Sequence, residues 1–349
     1  MRKTFLALSV LLFLSIPSHA ASFDCAKAAT PQEKAICATP DLSAADDEMA
    51  AAYKAWLAAA PGDWAAGIRD DQKSWLRLRT STCPADRGSF TIEDCLHQFY
   101  KERIDELGLR VRAFAGVTFV SRAITLTKRD EPGSVPTWTS ELTPGFGTFE
   151  ATWPQVVSTA PQWVAWNSAV VAAAIKTAAP NAKPPARSWN DLVEPAVDQA
   201  VTVTVDFFNG QLISASIVND YNGHGAHPTE NSSWFYWLLD KQRELKAEDI
   251  FVPNSGWDTW MMQRLDAYLH KTLDSESQGD YQSWFPQGQA QKTLLGIVSN
   301  PEGWQLNGRG LTLVFQPYEV AGYARTPEPL TIPWSELKPY LQHGFAMLQ

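Results

Sequence analysis

Three small sets of residues in this chain have types and spacings that could support chemistry. The first is its four cysteines, Cys25 with Cys37 and Cys83 with Cys95, each pair twelve positions apart. Thiols so placed serve either as disulfides or as metal ligands. The second is His224 and His227, which flank Gly225 and Ala226. Two imidazoles three residues apart could share a metal ion, but no third ligand stands nearby and no H-E-x-x-H occurs. A turn in which a histidine bonds the backbone is the expected role. The third is the stretch "QPYEVAGYA", where Tyr318, Glu319 and Tyr323 leave a run of strand character. Two phenols and a carboxylate on a loop suit contact with a basic protein, or equally the anchoring of that loop to its sheet. No G-x-S-x-G elbow and no phosphate-binding glycine motif is found. The chain therefore reads as a binding protein, with no catalysis, no cofactor and no metal expected.

Which role the cysteines take depends on the compartment. Residues 1–20, "MRKTFLALSVLLFLSIPSHA", have a charged start, an apolar centre and a small-residue end. That is the pattern of a secretory signal peptide cut after Ala20, and its apolar run is short for a membrane span. The mature chain is expected to be soluble, in a bacterial periplasm or secreted. In an oxidising compartment an even cysteine count reads as disulfides. Four cysteines allow three pairings, and the equal local spacing favours Cys25–Cys37 and Cys83–Cys95. Each bridge would contribute about 2–3 kcal/mol by restricting the unfolded chain. The formal charge of −9 becomes −11 once Arg2 and Lys3 leave with the signal. An acidic exported protein suits a basic partner and speaks against nucleic acid or anionic membrane.

The elements that must position these residues fall into two regions, 21–114 and 115–349. From Thr30 to Phe114 the pattern is helical. Thr30-Pro31-Gln32-Glu33 is a capping box with proline at the first helical position. Leu42, Ala45, Met49, Tyr53 and Trp56 recur at three or four residues, as one helix face does. Trp64, Ile68, Trp75 and Leu78 mark a third helix. Thr91 to Asp94 caps a fourth, with Leu96, Tyr100, Ile104, Leu107 and Val111 as its stripe. Each cysteine pair would then staple a loop to a helix in a bundle with little core.

After Phe114 the period shortens. Val117 to Thr127 alternates as a strand. Lys128 to Pro144 reads as a long hairpin loop, and Asn181 to Trp189 as a polar, Pro-rich one. A helix is expected over Ala165 to Thr177. Strands near Val201–Phe208 and Leu212–Val218 are joined by Asn209-Gly210, a strong hairpin signal. A further strand lies near Trp234–Leu239, then a helix over Trp257–Leu273. Thr293–Val298 and Gly310–Gln316 are expected to close the sheet, and Pro333-Trp334 to lead a short last helix. Of Trp234, Tyr236, Trp237, Trp257 and Trp260, most should be core, with one side of the alternation facing out. The fold class is α+β: a small disulfide-stapled helical bundle, then a mixed domain with a mostly antiparallel sheet and packed helices.

Two resemblances follow from these residues. "FDCAKAATPQEKAICATPDLSAADDEMAAAYKAW", "QKSWLRLRTSTC" and "CLHQFYKERIDEL" resemble the LprI-type lysozyme-inhibitor domain of exported bacterial proteins. The likeness includes the four cysteines, Glu33, Asp46, Tyr53, Trp75, Arg79, Tyr100 and Arg103. Ion pairing between helices is the favoured role for Asp46, Arg79 and Arg103. Farther on, "YNGHGAHPTENSSWFYWLLDKQRELKAEDIF", "GLTLVFQPYEVAGYA" and "LTIPWSELKPYL" resemble the extracellular domain of RsiV-type anti-sigma factors. In those receptors the domain binds lysozyme, but this chain lacks their membrane helix and sigma-binding segment. Both resemblances imply one partner, lysozyme, a basic muramidase. The expected function is an exported envelope protein that binds and inhibits lysozyme. The alternatives are a peptidoglycan-binding or other glycan-binding protein and, behind it, an enzyme acting on cell-wall sugars.

Overall fold

The computed structural model describes residues 21–83, 91–129, 146–179, 185–223, 225, 227–276, 280–286, 288–343 and 345. The signal segment, most of the Lys128–Pro144 loop, part of the Asn181–Trp189 loop and His224 lie outside the described residues. The chain forms two compact units. One takes in Met1–Ala55 and Trp75–Gly108, the other Trp56–Ser74 and Leu109–Gln349.

The first unit is helical. Helix α1 (Pro31–Ala38) starts at the expected capping box: Thr30 Oγ1 accepts from the Glu33 N–H, and the Glu33 carboxylate accepts from the Thr30 N–H. Those bonds hold the Glu33 carboxyl below its ordinary value. Helices α2 (Pro40–Ala59), α3 (Ala65–Thr82) and α4 (Ile92–Gly108) follow. Thr91 and Asp94 exchange the reciprocal bonds that begin α4. Both disulfides have the expected pairing, Cys25–Cys37 and Cys83–Cys95, with Cα atoms 5.8 and 5.6 Å apart. The Gln32 carboxamide donates to the carbonyls of Thr80 and Cys83, so α1 also seals the end of α3.

Polar residues occupy the middle of this bundle. The Arg79 guanidinium donates to the Tyr100 hydroxyl at 2.6 Å, and that hydroxyl donates to Asp46 Oδ1 at 2.7 Å. The other Asp46 oxygen accepts from the Ser22 N–H at 2.7 Å. Arg79 and Arg103 both lie over the Trp75 ring, at 5.5 and 5.7 Å from its centroid. Asp46 and Arg79 are thus joined across helices through a phenol, and burial pushes the Tyr100 phenol far above its ordinary value. Leu78 was expected on the inner face of its helix but is exposed; the neighbouring buried position belongs to Arg79.

The second unit is built on a seven-stranded sheet in chain order: β1 (Val111–Phe114), β2 (Val117–Arg129), β3 (Phe146–Val156), β4 (Asp198–Phe208), β5 (Leu212–Asn222), β6 (Thr229–Leu238) and β7 (Arg243–Glu244). Every neighbouring pair is antiparallel except β3 with β4, which is parallel. That parallel step accommodates the crossover helix α5 (Pro161–Ala178), which buries Trp166, Val170, Ala174 and Ile175 against one face. The other face is covered by α7 (Trp257–Glu276), α9 (Ala290–Val298) and a three-stranded sheet of β8 (Trp304–Asn307), β9 (Gly310–Leu313) and β10 (Leu330–Pro333). Short helices α6 (Ala247–Ile250), α8 (Asp280–Trp284) and α10 (Trp334–Leu337) complete the order.

Within this unit the Trp56 indole donates to the Ser121 carbonyl at 2.7 Å, and the buried Arg110 guanidinium lies over Trp56 while donating to Thr152. Five elements differ from their sequence reading. The fourth helix stops at Gly108, and Val111 starts a strand. A turn at Ala115-Gly116, both at positive φ, folds β1 back on β2. Thr293–Val298 is helical, with Leu294 and Val298 one turn apart and both buried. A short apolar run is ambiguous in period, and its neighbours decide it. Gly310–Leu313 belongs to the small sheet, not the large one. Strand β3 was not foreseen, because Pro154 lies inside it and proline argues against a strand. Finally, the second half of β6 faces out on neither side: Trp234, Tyr236 and Leu238 enter one core, Phe235 and Trp237 the other.

Candidate functional site

Tyr318, Tyr323 and His227 meet on one surface of the second unit. The loop after β9 makes this meeting possible. Gln316 anchors it, because its side-chain amide accepts from the Ser232 N–H at 2.9 Å and donates to the Ser232 carbonyl at 2.6 Å. That pair copies a strand ladder and ties the loop to β6. The Glu319 carboxylate then accepts from the Gln316 N–H at 2.9 Å and closes the turn. Partial burial raises the Glu319 carboxyl above its ordinary value, and the bond from Gln316 opposes that shift. Between these two anchors Tyr318 has φ of 64°, a left-handed conformation that bulky residues seldom adopt. The turn thereby pushes the Tyr318 ring outward, where it is 52% exposed.

His227 approaches from the start of β6. Its Nε2 lies 3.1 Å from the Tyr318 hydroxyl, and its Nδ1 lies 2.9 Å from the Pro228 carbonyl. Its ring stacks on Tyr323 with centroids 4.1 Å apart. Tyr323 is 40% exposed. Trp284, also partly exposed, donates its indole N–H to the Glu319 carbonyl at 3.2 Å and extends the aromatic surface. Among the described residues no three His, Cys, Asp or Glu side chains converge as metal ligands would.

Beside this face lies a cleft of about 770 Å³, bounded by the end of α5, the paired ends of β5 and β6, α9 with the turn after it, and the exit of β9. Gln316 and Glu319 line it, so the same two side chains that shape the aromatic loop form one wall of the cleft. Tyr318, Glu319, Tyr323 and His227 were singled out from sequence because tyrosines and histidines near glycine and proline mark surface loops, and the structure places them together. Sequence reasoning did not find Trp284 or the cleft residues Asn219, Asn231 and Asn300. Single asparagines scattered over 80 residues carry no local pattern until the sheet collects them.

No helix among the described residues is long and apolar enough to cross a membrane. No curated protein matches the chain. Among solved structures, the chain is similar to a DUF3298 family protein from Pseudomonas aeruginosa PAO1, with 14% identity, a TM-score of 0.44, and coverage of 64% of this chain and 94% of that one. It is similar also to a member of that family from Bacteroides fragilis NCTC 9343, with 15% identity, a TM-score of 0.42 and the same coverage. Residues 25–107, which hold all four cysteines, match the family model described as "Lysozyme inhibitor LprI"; residues 248–335, which hold Tyr318, Glu319 and Tyr323, match "Protein of unknown function (DUF3298)".

Proposed function

We propose that this chain is an exported envelope protein, periplasmic or secreted, that binds and inhibits lysozyme. The observation that carries the reading is the match of residues 25–107 to a family described as a lysozyme inhibitor. We place the contact on the second unit, at the face of His227, Tyr318 and Tyr323. The likeness of that region to the RsiV-type lysozyme-binding domain supports the choice. So does the chemistry: exposed aromatic rings held by the His227–Tyr318 hydrogen bond and the His227–Tyr323 stack lose little entropy on binding and concentrate contact energy. The acidic chain, at −9 overall, adds electrostatic attraction to a basic enzyme, felt mainly as encounter rate.

The test uses the whole chain, because Trp56–Ser74 packs within the second unit and a cut at Phe114 would remove it. Chicken-type, invertebrate-type and goose-type lysozymes are titrated by surface-based kinetics, with inhibition of cell-wall lysis as a second readout. At least one class should bind. Raising salt from low to physiological strength should slow association more than it speeds dissociation. Joint replacement Tyr318→Ala and Tyr323→Ala should weaken binding by about tenfold or more while leaving the melting temperature in place. If no lysozyme binds and the chain instead pellets with insoluble peptidoglycan, this reading is wrong.

A further inference from the structure

The cleft beside the aromatic face has a composition that selects a ligand. Among the described residues its one basic lining side chain, Lys176, is already ion-paired with Glu302 across its rim. An anionic ligand would therefore find no free cation among the described lining residues. Hydroxyls and carboxamides stand along the wall among a larger share of apolar surface. What the wall offers is neutral hydrogen bonding. Asn219 is only 5% exposed; its Oδ1 accepts from Gln199 at 2.8 Å, which leaves its amide protons without a partner among the described residues. Asn300 likewise uses its Oδ1 on the Glu302 N–H and keeps its amide protons. The Asn231 carboxamide makes no hydrogen bond to any described residue. Amide donors that open on a cleft are filled by water or by a ligand.

Two further features narrow the class. Tyr221 stands at the cleft with its ring 39% exposed, a flat surface for the C–H face of a pyranose. Ile297 and Val314 give the cleft apolar side chains, and it is lined also by Gly296, where a Cβ would meet nothing within 4 Å. Amide donors together with apolar side chains complement an acetamido group: the donors take its carbonyl and the apolar side chains take its methyl. The volume of about 770 Å³ lies within the range of sites that enclose a small ligand, roughly 300–1,000 Å³.

We propose that this cleft binds a short neutral oligosaccharide bearing acetamido groups. The site is separate from the lysozyme face, although Gln316 and Glu319 stand behind both.

The experiment is calorimetric titration of the whole chain with chitotriose, and with cellotriose as the trisaccharide lacking acetamido groups. Chitotriose should saturate one site and cellotriose should bind about tenfold more weakly or not at all. Gly296→Phe adds a ring to the cleft wall at a position where a Cβ would meet nothing within 4 Å, and should reduce chitotriose affinity by about tenfold or more. Leu295→Phe, on the same helix but outside the cleft, should bind as the parent does. Should Gly296→Phe fail to fold, Asn231→Ala serves instead, because its side chain supports no other described residue; a loss of roughly three- to tenfold is expected. Tyr318→Ala should leave sugar affinity unchanged, so this result and the lysozyme result stand or fall separately. Lack of binding by either sugar, equal binding of both, or undiminished binding by folded Gly296→Phe would overturn the assignment.

Discussion

His227 and Tyr323 stack with their ring centroids 4.1 Å apart and their planes 29° from parallel, although one precedes β6 and the other follows β9. Each ring shields one face of the other, and each keeps one edge in solvent. The pair therefore contributes more to shape than to stability. Tyr323→Ala should shift the melting temperature by no more than about 2 °C, since exposed substitutions usually fall within 0.5 kcal/mol. The same variant should free the His227 ring, which is measurable as a changed imidazole chemical shift and as weaker lysozyme binding. A large drop in melting temperature would mean that the stack is part of the core.

Tyr100 joins Arg79 to Asp46 inside the first unit, and its ring is fully buried. Tyr100→Phe keeps the ring and removes only the hydroxyl. It leaves a guanidinium and a carboxylate each short of one bond in a dry site, and should cost about 2–4 kcal/mol in chemical denaturation. A cost below about 0.5 kcal/mol would show that water takes over the bridge.

Asp249 is the clearest source of pH dependence. Arg243 donates two bonds to its carboxylate at 2.7 Å each, and Lys241 and the Lys246 N–H add others. The Arg243 bonds hold the carboxyl well below the ordinary value of 3.8, against the opposing effect of burial. A depressed folded-state value means that the contribution is fully present above the unfolded value and is lost as pH falls below it. Asp249→Asn should cost about 1–3 kcal/mol at neutral pH. Below about pH 4 the difference between parent and variant should shrink, read as converging denaturation midpoints. A difference that stays constant down to pH 2 would rule out this linkage.

Gly67 sits where α3 meets β2 within the second unit, and a Cβ there would collide with the backbone carbonyl of Ala123. Helix propensity alone says that alanine should stabilise α3 by about 1 kcal/mol. Contact with backbone reverses the sign, because the carbonyl has no rotamer by which to retreat. Gly67→Ala should destabilise the protein by about 1–3 kcal/mol. A more stable variant would show that α3 and β2 can separate without cost.

Local chemistry was legible without coordinates. Thr30 and Glu33 specify a helix start because both bonds of the capping box form within four residues. Cys25–Cys37 and Cys83–Cys95 follow from spacing, since short loops bring thiols together most often. Asn209-Gly210 turns β4 into β5, with Gly210 at φ 97°. What required tertiary structure was everything set by a distant neighbour. Thr293–Val298 has an apolar run that suits strand or helix, and packing of Leu294 and Val298 under the small sheet decided for helix. Trp234 to Leu238 alternates whether one face or both are covered; α5 on one side and the layer of α7, α9 and β8–β10 on the other buried both. Tyr318 and Glu319 looked alike as loop residues, yet the bond from the Gln316 N–H turned the carboxylate inward and the phenol outward. Asn219, Asn231 and Asn300 became one wall only when β5, β6 and the turn after α9 were brought side by side. A sequence records interactions within a turn or a few residues, because the backbone geometry there is nearly fixed. Which side of a strand meets solvent, and which polar groups share a cleft, depend on packing among segments that no local pattern orders.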